Sequence, residues 1–374
     1  MAQRIVFFKF GSFSHINPQI ARLLREHFAD FELETVDVVA QLIKPRKFVL
    51  LMNMLHVFWH YGLDLLRRRR RLRECFFRTP YLFRKVKALC VQFFDGRDAA
   101  FTFQTQSIFD TSVPGVPHFL YTDHTNLANR QYTCDTSERL SSPSWLACEK
   151  EVYRNATINF TMSRHVAESI RSEYGCDGDR VVCAHVGANA DINRSVVPRR
   201  DYEAKKILFV GVNWQRKGGP ELVEAFRRVR ERVPDAKLTI VGCSPEIDID
   251  GCEVVGRVPV EQVGRYFEQA SLFCLPTRRE PFGVVCLEAH LYGLAVVATP
   301  VGALPEYIQQ GKTGYLVQPG DVEQLTDALT SLLSDPAKCR AFGRAGFEAV
   351  RHQYTWENVG KIVERHVRQV LPEA

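Results

Sequence analysis

Short apolar runs alternate with amphipathic stretches along most of the 374-residue chain. In the first half, the runs at 5–8, 33–39, 99–103, 118–121, 157–161 and 181–186 read as buried strands, and 16–28 and 164–173 carry helical spacing. Residues 11–15 form a turn between the first strand and the first helix. Residues 45–94 read as one long, basic, aromatic helical region. The second half is more regular, with strands at 207–210, 237–241, 272–275, 295–298 and 314–317 and helices at 219–233, 260–269, 283–292 and 322–333. This α/β alternation predicts parallel sheets covered by helices on both faces. The polar, aperiodic stretch 191–204 reads as a linker. Two doubly wound Rossmann-like domains facing a cleft are therefore expected, 1–195 and 204–350. A last helix is expected at 355–370. Ligands of such sheets bind beyond the carboxyl ends of the strands.

Composition refines this little: 45% hydrophobic and 25% charged residues are ordinary globular usage. The 11 cysteines show no CxxC or Cys/His ligand spacing, so they are expected to be reduced core thiols of a cytoplasmic protein, without structural zinc. The first 13 residues lack the order of a signal peptide. Residues 48–66 are the most apolar stretch, but Asn53, His56, His60 and Asp64 interrupt it, which argues against a spanning helix. Charge changes the picture more. Between Lys44 and Lys87 stand 13 Lys and Arg against only Asp64 and Glu74, a local charge of +11 in a chain of net +6. Aromatic residues interleave with these cations. The segment 44–87 suits an anionic membrane surface, a phosphorylated or acidic acceptor, or a solvated face. No nucleic-acid recognition motif accompanies it.

The chemistry concentrates at two strand-to-helix junctions. After the strand 272–275 come Glu280, Pro281, Phe282 and Gly283, and a helix then runs through Val284 to Glu288. Open amides at that helix start suit a diphosphate. Glu280 can accept from sugar hydroxyls, and Glu288 can reach a ribose diol. After the strand 207–210, the loop holds Arg216, Lys217 and Gly218. Two cations at a helix start are mildly unfavourable unless an anion binds there, and preorganised positive charge would stabilise a leaving diphosphate. In the first half, Gly11 permits backbone approach to an anion, while His15 serves either helix-start packing or the acceptor side. Asp248 and Asp250 form a D-x-D pattern, discounted because it lies in a hydrophilic loop away from the other motifs.

Glu280-Pro281-Phe282-Gly283 with Glu288 resembles the E-x7-E motif of the family 4 retaining glycosyltransferases, which have the GT-B fold. The likeness runs from about Lys206 to Phe347 and includes Lys217-Gly218, 293–302 and 311–320. It implies that Glu280 contacts donor-sugar hydroxyls, Glu288 binds the ribose, and the amides of Phe282, Gly283 and Val284 meet the phosphates or sugar. It also implies that Lys217 holds the phosphates, that Gly11 lies in the first donor loop, and that His124 bonds a donor hydroxyl with Asp123 orienting it or facing the acceptor. Val212 stands where the family often has an Arg, and Arg216 is the candidate to replace it. The resemblance further implies that 1–195 is the acceptor-side domain and 204–350 the donor-side domain, and that the last helix crosses back so that 355–374 joins the first domain. It implies a nucleoside-diphosphate sugar donor with retention, no cofactor or bound metal, and an acceptor that is lipid-linked or membrane-associated at the inner face of a membrane. No carboxylate is placed for a double displacement, so a front-face route is expected. A non-catalytic nucleotide-sugar-binding scaffold, or another GT-B enzyme such as a phosphorylase or epimerase, remains the alternative.

Overall fold

The computed structural model describes residues 3–13, 15–94, 97–132, 140–189 and 200–371. The chain divides into two compact units. The N-terminal unit runs to His185 and also takes up the last helix; the C-terminal unit runs Val186–Thr355, with Tyr132 grouped to it.

The N-terminal unit is built on β1 (Arg4–Lys9), β2 (Glu32–Asp37), β3 (Phe101–Thr105), β4 (His118–Thr122), β5 (Ile158–Thr161) and β6 (Val181–Cys183). All pair parallel, in the order β2-β1-β3-β4-β5-β6. Its helices are α1 (Ile16–His27), α2 (Lys47–Leu66), α3 (Leu72–Phe76), α4 (Pro80–Phe93), α5 (Pro143–Asn155) and α6 (Arg164–Ser172). Aromatic side chains fill one face of the sheet, where Phe101 meets Phe28 and Phe119 edge-on at 5.2 and 5.5 Å.

In the C-terminal unit, β7 (Lys206–Val210), β8 (Lys237–Val241), β9 (Cys252–Gly256), β10 (Leu272–Leu275), β11 (Ala295–Ala298) and β12 (Gly314–Leu316) form a second parallel sheet, ordered β12-β11-β10-β7-β8-β9. Its helices are α7 (Gly219–Arg232), α8 (Gly264–Gln269), α9 (Val284–Leu291), α10 (Leu304–Tyr307), α11 (Val322–Leu333) and α12 (Pro336–Val350). β10 and β11 are buried at every residue, as the continuous apolar runs require of central parallel strands. The strand order reverses between β7 and β10, and this reversal places the loops after those two strands side by side.

The last helix, α13 (Trp356–Val370), buries Trp356, Val359, Gly360, Val363 and Val367 in the N-terminal unit. It packs on α1. His27 Nδ1 lies 2.8 Å from Glu364 Oε2, Arg368 donates to the His27 carbonyl at 3.0 Å, and a Cβ on Gly360 would fall 2.1 Å from the His27 ring.

Several local expectations need correction. The strand read at 33–39 ends at Asp37, and Val38–Ile43 form a π-helical turn whose first turn Asp37 caps. The region 45–94 is three helices, because Thr79 and Pro80 start a new one. The helix read at 260–269 is a 3₁₀ turn, Val260–Gln262, followed by α8. The hydrophilic loop that holds Asp248 and Asp250 gives way to β9 at Cys252. Of the linker read at 191–204, residues 191–199 lie outside the described residues. Arg200 and Tyr202 instead pack into the C-terminal unit: Arg200 donates to the Phe267 carbonyl at 2.7 Å, and Tyr202 Oη donates to the Gly293 carbonyl at 3.0 Å.

Candidate functional site

The loops after β7 and β10 hold the main cluster. Gly218 ends the first loop with φ +76°, and a Cβ there would sit 1.9 Å from the Pro276 carbonyl oxygen. Only glycine lets the start of α7 come this close to the end of β10. The contact presents Lys217 to the second loop, where its ammonium ion-pairs with the Glu280 carboxylate. Arg216 Nη1 lies 3.7 Å from the same Glu280 oxygen and donates to the Arg279 carbonyl at 2.5 Å. The Lys217 and Glu280 side chains are each only 11% exposed. Lys217 is therefore not a solvated surface cation.

Burial alone would push the Glu280 carboxyl up. The charges of Lys217 and Arg216, the lysine hydrogen bond and a bond from the Gly283 amide outweigh it, so the group is held below the usual carboxylate range. Glu280 is thus ionised at neutral pH and able only to accept hydrogen bonds.

α9 opens on Gly283, at φ +82°. A Cβ there would meet Leu304 at 2.5 Å and the Tyr307 hydroxyl at 3.0 Å. Tyr307 Oη donates to the carbonyls of Phe282 and Gly283 at 2.9 and 2.8 Å and so fixes the helix start. The Phe282 ring is buried, stacked 5.5 Å from Tyr307, so only its main chain can face a ligand. Val284 stands in the first turn of α9, where amides have no intrahelical acceptor. Glu288, one turn further along, accepts from the Asn189 amide at 3.1 Å. Behind the cluster, Arg278 ion-pairs with buried Glu221 of α7, and the Arg216 carbonyl accepts from the Arg278 amide at 2.9 Å. These braces were not read from the sequence, since Glu221 looks like any first-turn acid.

The remaining candidates belong to the N-terminal unit. Gly11 follows β1 at φ +54°, where that sheet's order also reverses, between β1 and β3. Its carbonyl accepts from Asn17 Nδ2 at 2.9 Å, and Thr105 Oγ1 donates to Asn17 Oδ1 at 2.7 Å. Asn17 is buried and was missed; a lone Asn among the apolar positions of α1 was its only signal. His15 is exposed at the helix start with φ +62° and no side-chain cap bond. His124 follows β4, is half-buried, and its Nε2 lies 2.9 Å from Asn129 Oδ1. Asp123 beside it is also half-buried. Ser163 caps α6, its Oγ accepting from the Val166 amide at 3.2 Å. Glu149, also missed, is fully buried under the His124 loop. It accepts from the Asn126 amide at 3.0 Å and from the Tyr174 hydroxyl. Burial lifts its carboxyl to about 7 against those hydrogen bonds. In the C-terminal unit, Asp250 of the discounted D-x-D pair binds Arg230 at 2.5 Å.

Two Rossmann-like units with these sheet orders constitute a GT-B fold. Residues 193–349 match the model of the family described as glycosyl transferases group 1. The chain is 26% identical to the D-inositol 3-phosphate glycosyltransferase of Corynebacterium aurimucosum over 63% of this chain and 62% of the relative. It is 34% identical to the GDP-mannose-dependent alpha-(1-6)-phosphatidylinositol monomannoside mannosyltransferase of Mycolicibacterium smegmatis over 39% of this chain and 43% of the relative. The chain thus spans less than two thirds of the length of these curated relatives. Among solved structures, sucrose-phosphate synthase from Thermosynechococcus elongatus superposes with a TM-score of 0.70 at 18% identity, covering 98% of this chain and 99% of that one. That likeness bears on the fold.

Proposed function

We propose that the protein is a retaining glycosyltransferase that moves a sugar from a nucleoside-diphosphate donor to a lipid-linked acceptor at an anionic membrane surface. The observation that carries this reading is the buried Lys217–Glu280 pair, held beside the start of α9 where the second sheet reverses its order. The two relatives described above support it: one is named for glycosyl transfer involving inositol 3-phosphate, the other for GDP-mannose-dependent transfer to a phosphatidylinositol mannoside.

In this reading Lys217 and Arg216 share the diphosphate with the first amides of α9, starting at Val284, and so stabilise negative charge as the glycosidic bond breaks. These fixed cations and amides do the work a metal does elsewhere, so turnover needs no bound metal. Glu280, kept ionised, accepts from donor-sugar hydroxyls. Glu288 exchanges the Asn189 amide for the ribose diol. His124 bonds a donor hydroxyl and Asp123 serves the acceptor. The acceptor hydroxyl attacks the face from which the diphosphate leaves, its proton passes to the departing phosphate oxygen, and the transferred sugar keeps its anomeric configuration.

The test is nucleotide release from GDP- and UDP-sugars, with and without phosphatidylinositol and with EDTA present, followed by NMR of the product's anomeric proton. Acceptor-dependent, EDTA-resistant release with a retained anomer is expected. Donor binding without turnover on any acceptor would mean a sugar-nucleotide-binding scaffold instead.

A further inference from the structure

The helix α2 presents an apolar face to solvent rather than to the core. Phe48, Leu51, Leu55, Phe58, Trp59, Leu63 and Leu66 are all more than half exposed, Trp59 at 85% and Leu66 at 82%. At 100° per residue these positions fall within one stripe running the helix's length, about 30 Å for 20 residues. The opposite stripe, Asn53, Val57 and Tyr61, is buried. Asn53 Nδ2 donates to the Phe76 carbonyl at 2.7 Å, and Tyr61 Oη donates to the Arg78 carbonyl at 2.7 Å. The helix is therefore tethered by its back, with its greasy side outward. A contiguous apolar stripe of this length marks an interaction surface.

Charge says what covers it. Lys44 and Lys47 are exposed at the start of α2, and Arg67, Arg68, Arg69, Arg71 and Arg73 are exposed beyond its end. Arg70 is the exception, since it is turned back on Asp64 at 3.2 Å and held 5.5 Å from the Tyr61 ring. With cations at both ends, a second copy of this helix would meet like charge in either direction. An anionic lipid surface complements both ends and the stripe between them. The length and apolarity of α2 would also suffice for a span. The tethers of Asn53 and Tyr61 to the end of α3 and the turn after it oppose that, because spanning would strip the back of the helix from its own unit.

We infer that α2 is an in-plane membrane helix: its Phe48-to-Leu66 face inserts at the headgroup–acyl boundary of an anionic leaflet, and the flanking Lys and Arg hold the headgroups. This deepens the lipid-acceptor reading above, yet it is measured by binding alone, without donor or turnover.

The full chain is mixed with vesicles of phosphatidylcholine containing 30% phosphatidylglycerol, and with pure phosphatidylcholine vesicles. Co-sedimentation with the anionic vesicles is expected, weakened by raised salt, with a blue shift of tryptophan emission that Trp59→Phe removes. Lipids brominated near the headgroup should quench Trp59 more than lipids brominated near the chain ends. Leu55→Ser/Phe58→Ser, both on the solvent side, should reduce partitioning at least tenfold with unchanged circular dichroism. Turnover on a water-soluble acceptor should be unaffected. No anionic-vesicle binding, unaltered binding by the double variant, or strongest quenching from the bilayer centre would overturn the inference. So would dimerisation through this face in place of vesicle binding. If vesicles bind and no sugar is transferred, the surface stands and the activity fails.

Discussion

Replacing Lys217 with Met leaves the Glu280 carboxylate in a site where both side chains were 11% exposed. Removing one partner of a buried ion pair costs about 3–5 kcal/mol. Two features pull the value to the lower end. Arg216 Nη1 remains 3.7 Å from the carboxylate, and at an effective dielectric near 20 its gross attraction is about 4 kcal/mol. The Gly283 amide also still donates to the carboxylate. A loss of about 2–3 kcal/mol follows for Lys217→Met, a drop of roughly 4–12 °C in the melting temperature of a unit this size. Glu280→Gln removes the charge that the lysine was satisfying. Lys217→Met/Glu280→Gln buries neither charge, so its loss should fall short of the sum of the two singles by about 2 kcal/mol. Donor turnover should behave differently, falling at least tenfold, or about 1.4 kcal/mol, in all three variants. Denaturant melts and nucleotide release on the same preparations read both quantities. The acid limb gives a further check on sign. The Glu280 carboxyl is held low in the fold, so its contribution is present at neutral pH and lost as pH falls through that depressed value. Glu280→Gln should lack this limb. Additive losses in the double variant, or wild-type turnover in any of the three, would refute the reasoning.

Two further outcomes are expected. Glu149 titrates near 7 when folded and in the ordinary carboxyl range when unfolded, so the fold holds an extra proton between those values. Stability should therefore fall, by up to about 3 kcal/mol, as pH rises through that window, and level off above it. Glu149→Gln should flatten the slope in denaturant melts at pH 5, 6, 7 and 8, and a persisting slope would assign it to other groups. Gly218→Ala forces a Cβ to 1.9 Å from the Pro276 carbonyl at a left-handed φ. It should destabilise the C-terminal unit by roughly 1–3 kcal/mol and abolish donor-induced thermal stabilisation. A variant that melts like the wild type and is still stabilised by donor would contradict the close approach of the two loops.

What could be read in the sequence, and what could not, follows from burial. The central strands β10 and β11 are sealed on both faces, so their apolar runs are unbroken. β9 is an edge strand with only Gly256 buried, and its half-polar sequence looks like a loop. The helices α5 and α12 went unread, although Ser142-Pro143 and Asp335-Pro336 are cap-and-proline starts that announce them. The two halves of the main cluster were each visible as a motif, because glycine and charge at a strand end are local signals. Their union at one pocket was implied by the family resemblance and could not be read from either motif alone. Lys217 and Glu280 stand 63 positions apart and meet only because the sheet reverses its order between β7 and β10. Glu149 was out of reach for the same reason, since its partners Asn126 and Tyr174 come from other elements.

The two sheets also treat their reversal points differently, which bears on where a phosphate can be held. In the C-terminal unit the reversal gathers two cations and the open amides of a helix start around one acidic group. In the N-terminal unit it carries Gly11, Asn17 and Thr105, which are uncharged, and the Asn17 amide has already joined the Gly11 carbonyl to the Thr105 hydroxyl. Nearby Lys9 is matched by Asp37 at 3.5 Å. A diphosphate needs positive potential that only the first arrangement provides. Neutral donors and acceptors of the second kind suit the hydroxyls of a sugar or polyol, which must be oriented without being charged. In the reading proposed above, the phosphate grip falls to Lys217, Arg216 and α9, and Gly11 is left the backbone contact with hydroxyl-bearing groups.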